Sequence, residues 1–478
     1  MKGTRWVVLI ATVISGIFAA AVLLDGPAAL VMDAKGYWES GESVANGDVL
    51  LQTHPIAYRT PGYPWFIAFC QTVAGPRGLG MVIVLQGAMC ALLVPISAWI
   101  AWRLSQPKCR DVAAISAAIL TMAGVSRMYF ARAVLGESLF LFVMMLHIAC
   151  VAGLVTGQAK IRWGLMAGFL LGATILVRPI GQWLWIAHLF VVVPIVVSRG
   201  KCATSDAVVI RINWLLVRSL VLMGVIALLM VAPWLSRNAK MFGRPFLTEF
   251  VGRNIWIVTF QDQAGAGLPM PSTPEAIRLR DTVLKINPTA DLTYTWEVSN
   301  TLSRSGMADD EIDRLMRTVA MQATKNGIGI WTERCGRRLV NFFRCIADEP
   351  PTFIDSVDIP VGQWYWRAPS RLESFIRSAR FSPNLVANMF VSGAYFFGWS
   401  CLFLNHRYRV TALWLGSMIG YFAMVTAAIE IPAYRYRLVV EPLMAIVGGC
   451  AIAILCSRHA KIKLIDNQIL DKALDTRH

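Results

Sequence analysis

The sequence predicts an all-α polytopic membrane protein, and three observations carry that prediction. Hydrophobic residues make up 56% of the chain and charged residues only 15%. Mean hydropathy is positive. Several apolar runs approach the roughly 20 residues that a helix needs to cross a bilayer, whereas a soluble domain carries about a quarter charged residues.

Ten spans follow in order: Trp6–Leu24, Leu79–Trp102, Val112–Val125, Val134–Val155, Trp163–Val177, Trp183–Val197, Ser219–Leu235, Leu385–Leu404, Val410–Ile429 and Leu438–Cys456. The third and fifth are short. Alternating the connections puts Arg103, Lys108 and Arg110 on one side with Lys160, Arg162, Arg199, Lys201, Arg211, Arg218, Arg407 and Arg409. The tail residues Arg458, Lys461 and Lys463 fall there too. Basic loops mark the cytoplasm, which places both termini inside. The formal net charge of +16 is thus topology and contact with anionic lipid. No groove-reading motif or basic domain points to nucleic acid. A cleavable signal peptide competes for the first span through Ala19-Ala20-Ala21, but its removal would detach Asp33 from the bundle. The ten cysteines are scattered, without a CxxC pair or metal spacing.

The expected organisation is an N-terminal membrane module, 1–235, with a first outer loop at 25–78. An extracytoplasmic and interfacial domain, 236–383, is followed by C-terminal membrane helices, 384–456, and a basic cytoplasmic tail, 457–478. The first outer loop opens with a short helix lying on the membrane around Asp33, Tyr37 and Trp38. Asn46-Gly47-Asp48 marks a turn, and Pro61, Gly62 and Pro64 oppose regular helix before Trp65–Cys70. In the outer domain, Ile312, Leu315, Met316, Val319 and Ala323 repeat at helical spacing behind Asp309-Asp310-Glu311, acids that suit a helix N-terminus. A second stripe, Trp331, Cys335, Leu339, Phe342 and Ile346, shares its helix with Arg334, Arg337, Arg338 and Arg344. It suits either an interfacial helix in the headgroups or a domain helix packed on a neighbour.

Charges on the wrong side are the informative anomalies. Arg127, Arg132 and Glu137 flank the third and fourth spans, Arg178 ends the fifth, Arg237 follows the seventh, and Arg435 and Arg437 lie between the last two. Singly, each guanidinium could snorkel to outer headgroups. Together they suggest an anion-binding cavity, since guanidinium suits phosphate through paired hydrogen bonds. Asp33, an acid at a membrane boundary, is a functional-site hypothesis in its own right. One carboxylate and several arginines suffice to move a sugar off a polyprenyl phosphate. The leaving phosphate needs positive charge rather than a proton, and only the attacking hydroxyl needs a base. A glycoside hydrolase would call for two flanking carboxylates.

These residues resemble a family. One span, the run Asp33-Ala34-Lys35-Gly36-Tyr37 opening a large outer loop, and the return Arg59-Thr60-Pro61-Gly62-Tyr63-Pro64 resemble the type C (GT-C) glycosyltransferases. The likeness is to bacterial relatives of protein O-mannosyltransferases and lipid A aminoarabinose transferases. Leu135-Gly136-Glu137-Ser138, Leu176-Val177-Arg178-Pro179, Pro233-Trp234-Leu235-Ser236-Arg237-Asn238 and Arg435-Tyr436-Arg437 agree in order. The resemblance implies a GT-C-like bundle of about ten transmembrane helices with a mainly helical outer domain. It implies Asp33 as catalytic base, with Glu137 as a second acid orienting an arginine or the acceptor. Arg178, Arg237, Arg435 and Arg437 are implied to contact the donor phosphate, with Arg59 and Arg132 as further candidates.

Relatives often carry Asp-Glu where this chain has Asp33-Ala34, so a divalent metal is not favoured and no cofactor is assigned. Lys35, Tyr37, His54 and Tyr63 are candidate substrate contacts, each with an ordinary alternative as interfacial lysine, turn histidine or membrane-interface aromatic. The expected partners are a polyprenyl-phosphate-linked sugar, membrane lipid, and a glycolipid, polysaccharide or protein acceptor. The expected place is the bacterial cytoplasmic (inner) membrane, with the site facing the periplasm or exterior. A transporter or flippase of a lipid-linked saccharide is the rival reading, although the internal repeat usual in transporters is absent.

Overall fold

The computed structural model describes residues 2–24, 26–30, 32–124, 126–157, 161–202, 205–261, 268–343, 383–429 and 434–457. The basic tail and the end of the outer domain, with Arg344, Cys345 and Ile346, lie outside them.

The ten expected spans are all helices: α1 (Lys2–Leu23), α4 (Gly78–Leu104), α5 (Arg110–Ala123), α7 (Glu137–Val155), α8 (Ile161–Val177), α9 (Leu184–Val196), α10 (Trp214–Phe242), α16 (Pro383–Leu404), α17 (Arg409–Ile429) and α18 (Tyr436–Ser457). Six helical stretches among the described residues are long and apolar enough to cross a membrane, and shorter apolar helices include α8 and the region of α9. The chain is a multi-pass membrane protein. The centre of the bundle is α7 and α18, strongly apolar helices most of whose residues are buried. By contrast α1, α9 and α10 carry exposed apolar faces such as Ile10, Phe190 and Leu229, the surface a lipid-facing helix presents.

One expectation is corrected. The prolines do not hold off the helix: α3 (Gly62–Ala74) begins at Gly62, with Pro64 in its first turn. There a missing N–H costs nothing, because no carbonyl precedes it in the helix. Gly62 is required, because a Cβ would strike the Leu176 and Val177 backbone at the end of α8. The loop after α9 is an antiparallel hairpin, β1 (Val197–Cys202) on β2 (Ser205–Ile212). Asn213 then caps α10, accepting the Leu216 N–H at 3.1 Å, as an N-cap amide does.

Gly164, Gly168 and Gly172 press α8 against α10, for a Cβ at any of them would meet Ser219, Met223 or Met230. Small residues at this spacing allow close backbone approach between membrane helices. Outside the bundle, α2 (Met32–Ala45) lies in the first outer loop. Beyond Ser126–Phe130, here α6, the later outer helices are α11 (Val251–Trp256), α12 (Pro274–Ile286), α13 (Thr295–Arg304), α14 (Asp309–Asn326) and α15 (Ile328–Phe343). The outer domain has its own core, in which Leu279, Val298 and Leu302 meet the Ile312, Met316 and Val319 stripe. Helix α15 docks on α17: Arg338 is buried and its Nε donates to Ala427 O at 2.6 Å.

Candidate active site

Asp33 sits in the first turn of α2, where the helix dipole favours a carboxylate. Arg59 crosses over that turn, its Nη2 3.5 Å from Asp33 Oδ1, with the aspartate side chain 44% exposed and the arginine 11%. The Arg59 guanidinium carbon lies 4.7 Å from the Tyr37 ring centroid and 5.1 Å from that of Tyr58, within cation–π range of both. Gly36 makes room for it, because a Cβ there would collide with the guanidinium.

A second pair stands beside the first. Glu137, buried in the first turn of α7, receives Arg178 from the end of α8, Nη1 to Oε1 at 2.6 Å. Arg178 also faces the Tyr436 ring at 5.6 Å. Between the pairs, Tyr37 meets Tyr63 edge-on at 5.1 Å. Burial pushes the Tyr37 phenol above its ordinary value. Arg59 and then Arg178 pull it back, while Asp33 and Glu137 push it up. One phenol thus feels both ion pairs. Tyr63 is fixed below, donating to Gln86 Oε1 at 2.8 Å, and the Gln86 amide donates to Ala131 O and Ala133 O, each at 2.9 Å.

Arg127, Arg132 and Arg237 donate to backbone carbonyls, and Arg437 meets side chains. Arg237 is 1% exposed and donates to Leu50 O at 3.0 Å, to Asn238 Oδ1 at 2.7 Å and to Leu51 O. Leu51 has a positive φ of 52°, so the guanidinium holds a backbone conformation that a leucine seldom adopts. Arg132 Nε donates to Gly26 O at 2.8 Å. Arg437, also buried, reaches Ser392 Oγ at 2.7 Å and faces Glu441 at 3.8 Å. Arg127 donates to Gly124 O at 2.6 Å and to Thr121 O. Arg127 and Arg338 act alike, because each supplies donors to terminal carbonyls of a span ending at the outer face, α5 and α17. Those carbonyls lack helical partners, and the negative end of the dipole favours a cation. Of the arginines expected at phosphate, the structure brings Arg59 and Arg178 to the ion pairs around Tyr37. It sets Arg132, Arg237 and Arg437 elsewhere, and Arg435 lies on the turn Tyr434–Leu438.

Lys35 is exposed and faces Glu39 at 3.8 Å, and His54 is exposed. Among the described residues no group of three or more His, Cys, Asp or Glu could hold a metal ion. Sequence reasoning did not single out Gln86, Gly36 or Tyr436 by role, since each acts through a neighbour distant in the chain. It also missed a buried polar line across the bundle. Trp414 Nε1 lies 3.0 Å from His188 Nδ1, His188 Nε2 lies 2.8 Å from His147 Nε2, and His147 Nδ1 lies 2.9 Å from Ala167 O. Trp can only donate and the carbonyl only accept. Both imidazoles are therefore neutral, and the line runs donor to acceptor from end to end.

An apolar cavity of about 580 Å³ opens between α8, α9 and α10, lined by Leu171, Trp185, His188, Met223 and Leu228 among others. Ile175 and Gln182, which flank Arg178 in the chain, also line it.

No family model matches this chain, and no curated protein matches it. Solved structures do. The Archaeoglobus fulgidus oligosaccharyltransferase, tethered to an acceptor peptide containing the NVT sequon, is similar with a TM-score of 0.50 at 11% identity, over 97% of this chain and 51% of that one. This chain spans about half the length of that enzyme. ArnT from Cupriavidus metallidurans bound to undecaprenyl phosphate gives a TM-score of 0.36 at 14% identity, over 95% of this chain and 79% of that one. At 11% identity the likeness to the oligosaccharyltransferase is one of architecture, and this chain shares its fold with part of that membrane protein.

Proposed function

We propose that this protein transfers a hexosyl or pentosyl group from a polyprenyl-phosphate donor to an acceptor hydroxyl at the extracytoplasmic face of a bacterial inner membrane. The observation that carries the reading is the pairing of two carboxylates with two arginines around Tyr37, Asp33–Arg59 at 3.5 Å and Glu137–Arg178 at 2.6 Å. The two carboxylates differ in environment, and this divides their roles. Asp33 is 44% exposed and can meet an acceptor, while Glu137 is 6% exposed and holds Arg178.

In this reading Asp33 takes the proton of the acceptor hydroxyl as its oxygen attacks the anomeric carbon. The bond from that carbon to the phosphate oxygen breaks on the opposite face, so configuration inverts. The departing phosphate keeps the electron pair, and Arg59 and Arg178 stabilise its charge. The apolar cavity between α8, α9 and α10 suits the carrier chain. The acceptor is a glycolipid, polysaccharide or protein. Arg132, Arg237 and Arg437 are assigned here to holding the scaffold, and Lys35 and His54 to the rim. The fold shared with the oligosaccharyltransferase supports this reading.

Mass spectrometry of envelope glycans and lipids from cells with and without the gene tests it, with complementation by wild type and by Asp33→Asn. A sugar missing without the gene and restored only by wild type is the expected result. No change in any fraction would sink the proposal. Full restoration by Asp33→Asn would favour a transporter of a lipid-linked saccharide, which needs no base.

A further inference from the structure

Arg59 is carried by a four-residue strap, residues 57–60, tied down at both ends to different parts of the molecule. At one end, Ala57 gives its N–H to Asp309 Oδ2 at 2.6 Å, and its carbonyl accepts the Glu249 N–H at 2.8 Å. At the other, Thr60 Oγ1 donates to Val177 O at 3.3 Å, one residue before Arg178. Tyr58 lies between, 5.6 Å from Phe250 and 5.9 Å from Trp296 by ring centroids. Its ring also faces the Arg253 guanidinium at 5.2 Å. Asp309 is itself held. Arg253 Nη2 donates to its second oxygen, and Arg253 is fixed by Ser299 Oγ at 3.0 Å from Nε and by its own N–H on Asp313 at 3.0 Å.

We infer that Asp309 is a positioning residue for Arg59. Through one carboxylate on one backbone N–H, the outer domain sets where the guanidinium stands over Tyr37 and beside Asp33. Asp309 is 22% exposed and Arg253 only 1%, so the anchor is largely shielded from water. A rigid support behind a binding group is what holds geometry at a site. The consequence for the lipid phosphate rests on the function proposed above, whereas the placement of Arg59 does not.

The test uses the purified full chain in nanodiscs with undecaprenyl phosphate as probe, followed by tryptophan fluorescence. Arg59→Ala and Asp309→Ala should each weaken binding about tenfold, the scale of one charge-assisted hydrogen bond. The double variant should bind no worse than Arg59→Ala alone, because coupled residues are not additive. Additive losses would show Asp309 acting elsewhere and overturn the inference. Asp309→Asn, which keeps an acceptor for Ala57, should restore most of the affinity, and it stands in if the alanine variant does not fold. Failure of wild type to bind would count against the proposed donor. The placement is then decided by limited trypsin digestion: Asp309→Ala should speed cleavage of the Arg59–Thr60 bond several-fold while cleavage at Arg77 stays constant. An unchanged rate at Arg59 would overturn it.

Discussion

Arg178 and Glu137 join the outer ends of α8 and α7 through a 2.6 Å ion pair in which the glutamate is 6% exposed and the arginine 20%. Removing one member of such a pair leaves the other charge without compensation. Glu137→Ala should cost about 3 kcal/mol, the low end for breaking a buried pair because Arg178 keeps some water. Glu137→Gln, which retains an acceptor, should cost less. Denaturant unfolding in detergent gives both values.

Asp33→Asn keeps shape and hydrogen-bonding capacity but cannot take a proton. If the proposed chemistry holds, turnover falls on the order of 10²–10⁴-fold, the usual contribution of a positioned base. Binding of undecaprenyl phosphate should change little. Equal losses in both would place Asp33 in donor binding instead.

Gly36→Ala separates folding from site geometry. The three atoms nearest an added Cβ all belong to the far end of the Arg59 side chain, which can swing away without disturbing the backbone. Stability should stay within about 0.5 kcal/mol, as for an ordinary surface change. Transfer should drop as it does in Arg59→Ala, and parallel melting and turnover measurements distinguish the two effects.

His188→Leu should destabilise the bundle by about 1–3 kcal/mol, because Trp414 N–H and one nitrogen of His147 lose their partners inside the membrane. Adding Trp414→Phe should recover part of that loss by removing the stranded donor.

Asp48 governs the turn after α2. Burial tends to raise its carboxyl value, but hydrogen bonds from the Gln52 and Thr53 N–H groups, with help from Ser43, hold it below the ordinary range. A depressed value means that stability is present above the unfolded carboxylate value and lost as pH falls through the folded one. Protection of the Gln52 and Thr53 amides from hydrogen exchange, relative to their intrinsic rates at each pH, should therefore be high at neutral pH and fall below roughly pH 4. Asp48→Asn should flatten that profile.

Much of this structure was legible in the chain. Long apolar runs between basic loops located ten helices among the described residues, and Asp309-Asp310-Glu311 marked the start of α14. The site was legible as a set of residue types. What could not be read was which outer arginine turns toward a carboxylate and which toward a carbonyl. Arg59 and Arg127 look alike in sequence, yet one faces Asp33 and the other the Gly124 carbonyl. That choice depends on packing between residues far apart in the chain. The hairpin after α9 escaped notice because its basic residues fit a cytoplasmic loop equally well. The His147–His188 line escaped because a histidine in an apolar run shows neither its tautomer nor its partner.

The glycines of α8 have a mechanical consequence. With α8 and α10 locked backbone to backbone, neither can yield alone. Helix α9 is moored to α17 instead, by Trp414 on His188 at 3.0 Å and by Tyr421 Oη on Ile180 O at 2.6 Å at its outer end. The slot between α9 and α10 is therefore a seam between two two-helix slabs, bridged at the level of His188 by its bond to His147 of α7, which in turn bonds Ala167 O of α8. A long chain entering that seam would part the slabs as a page opens from its spine.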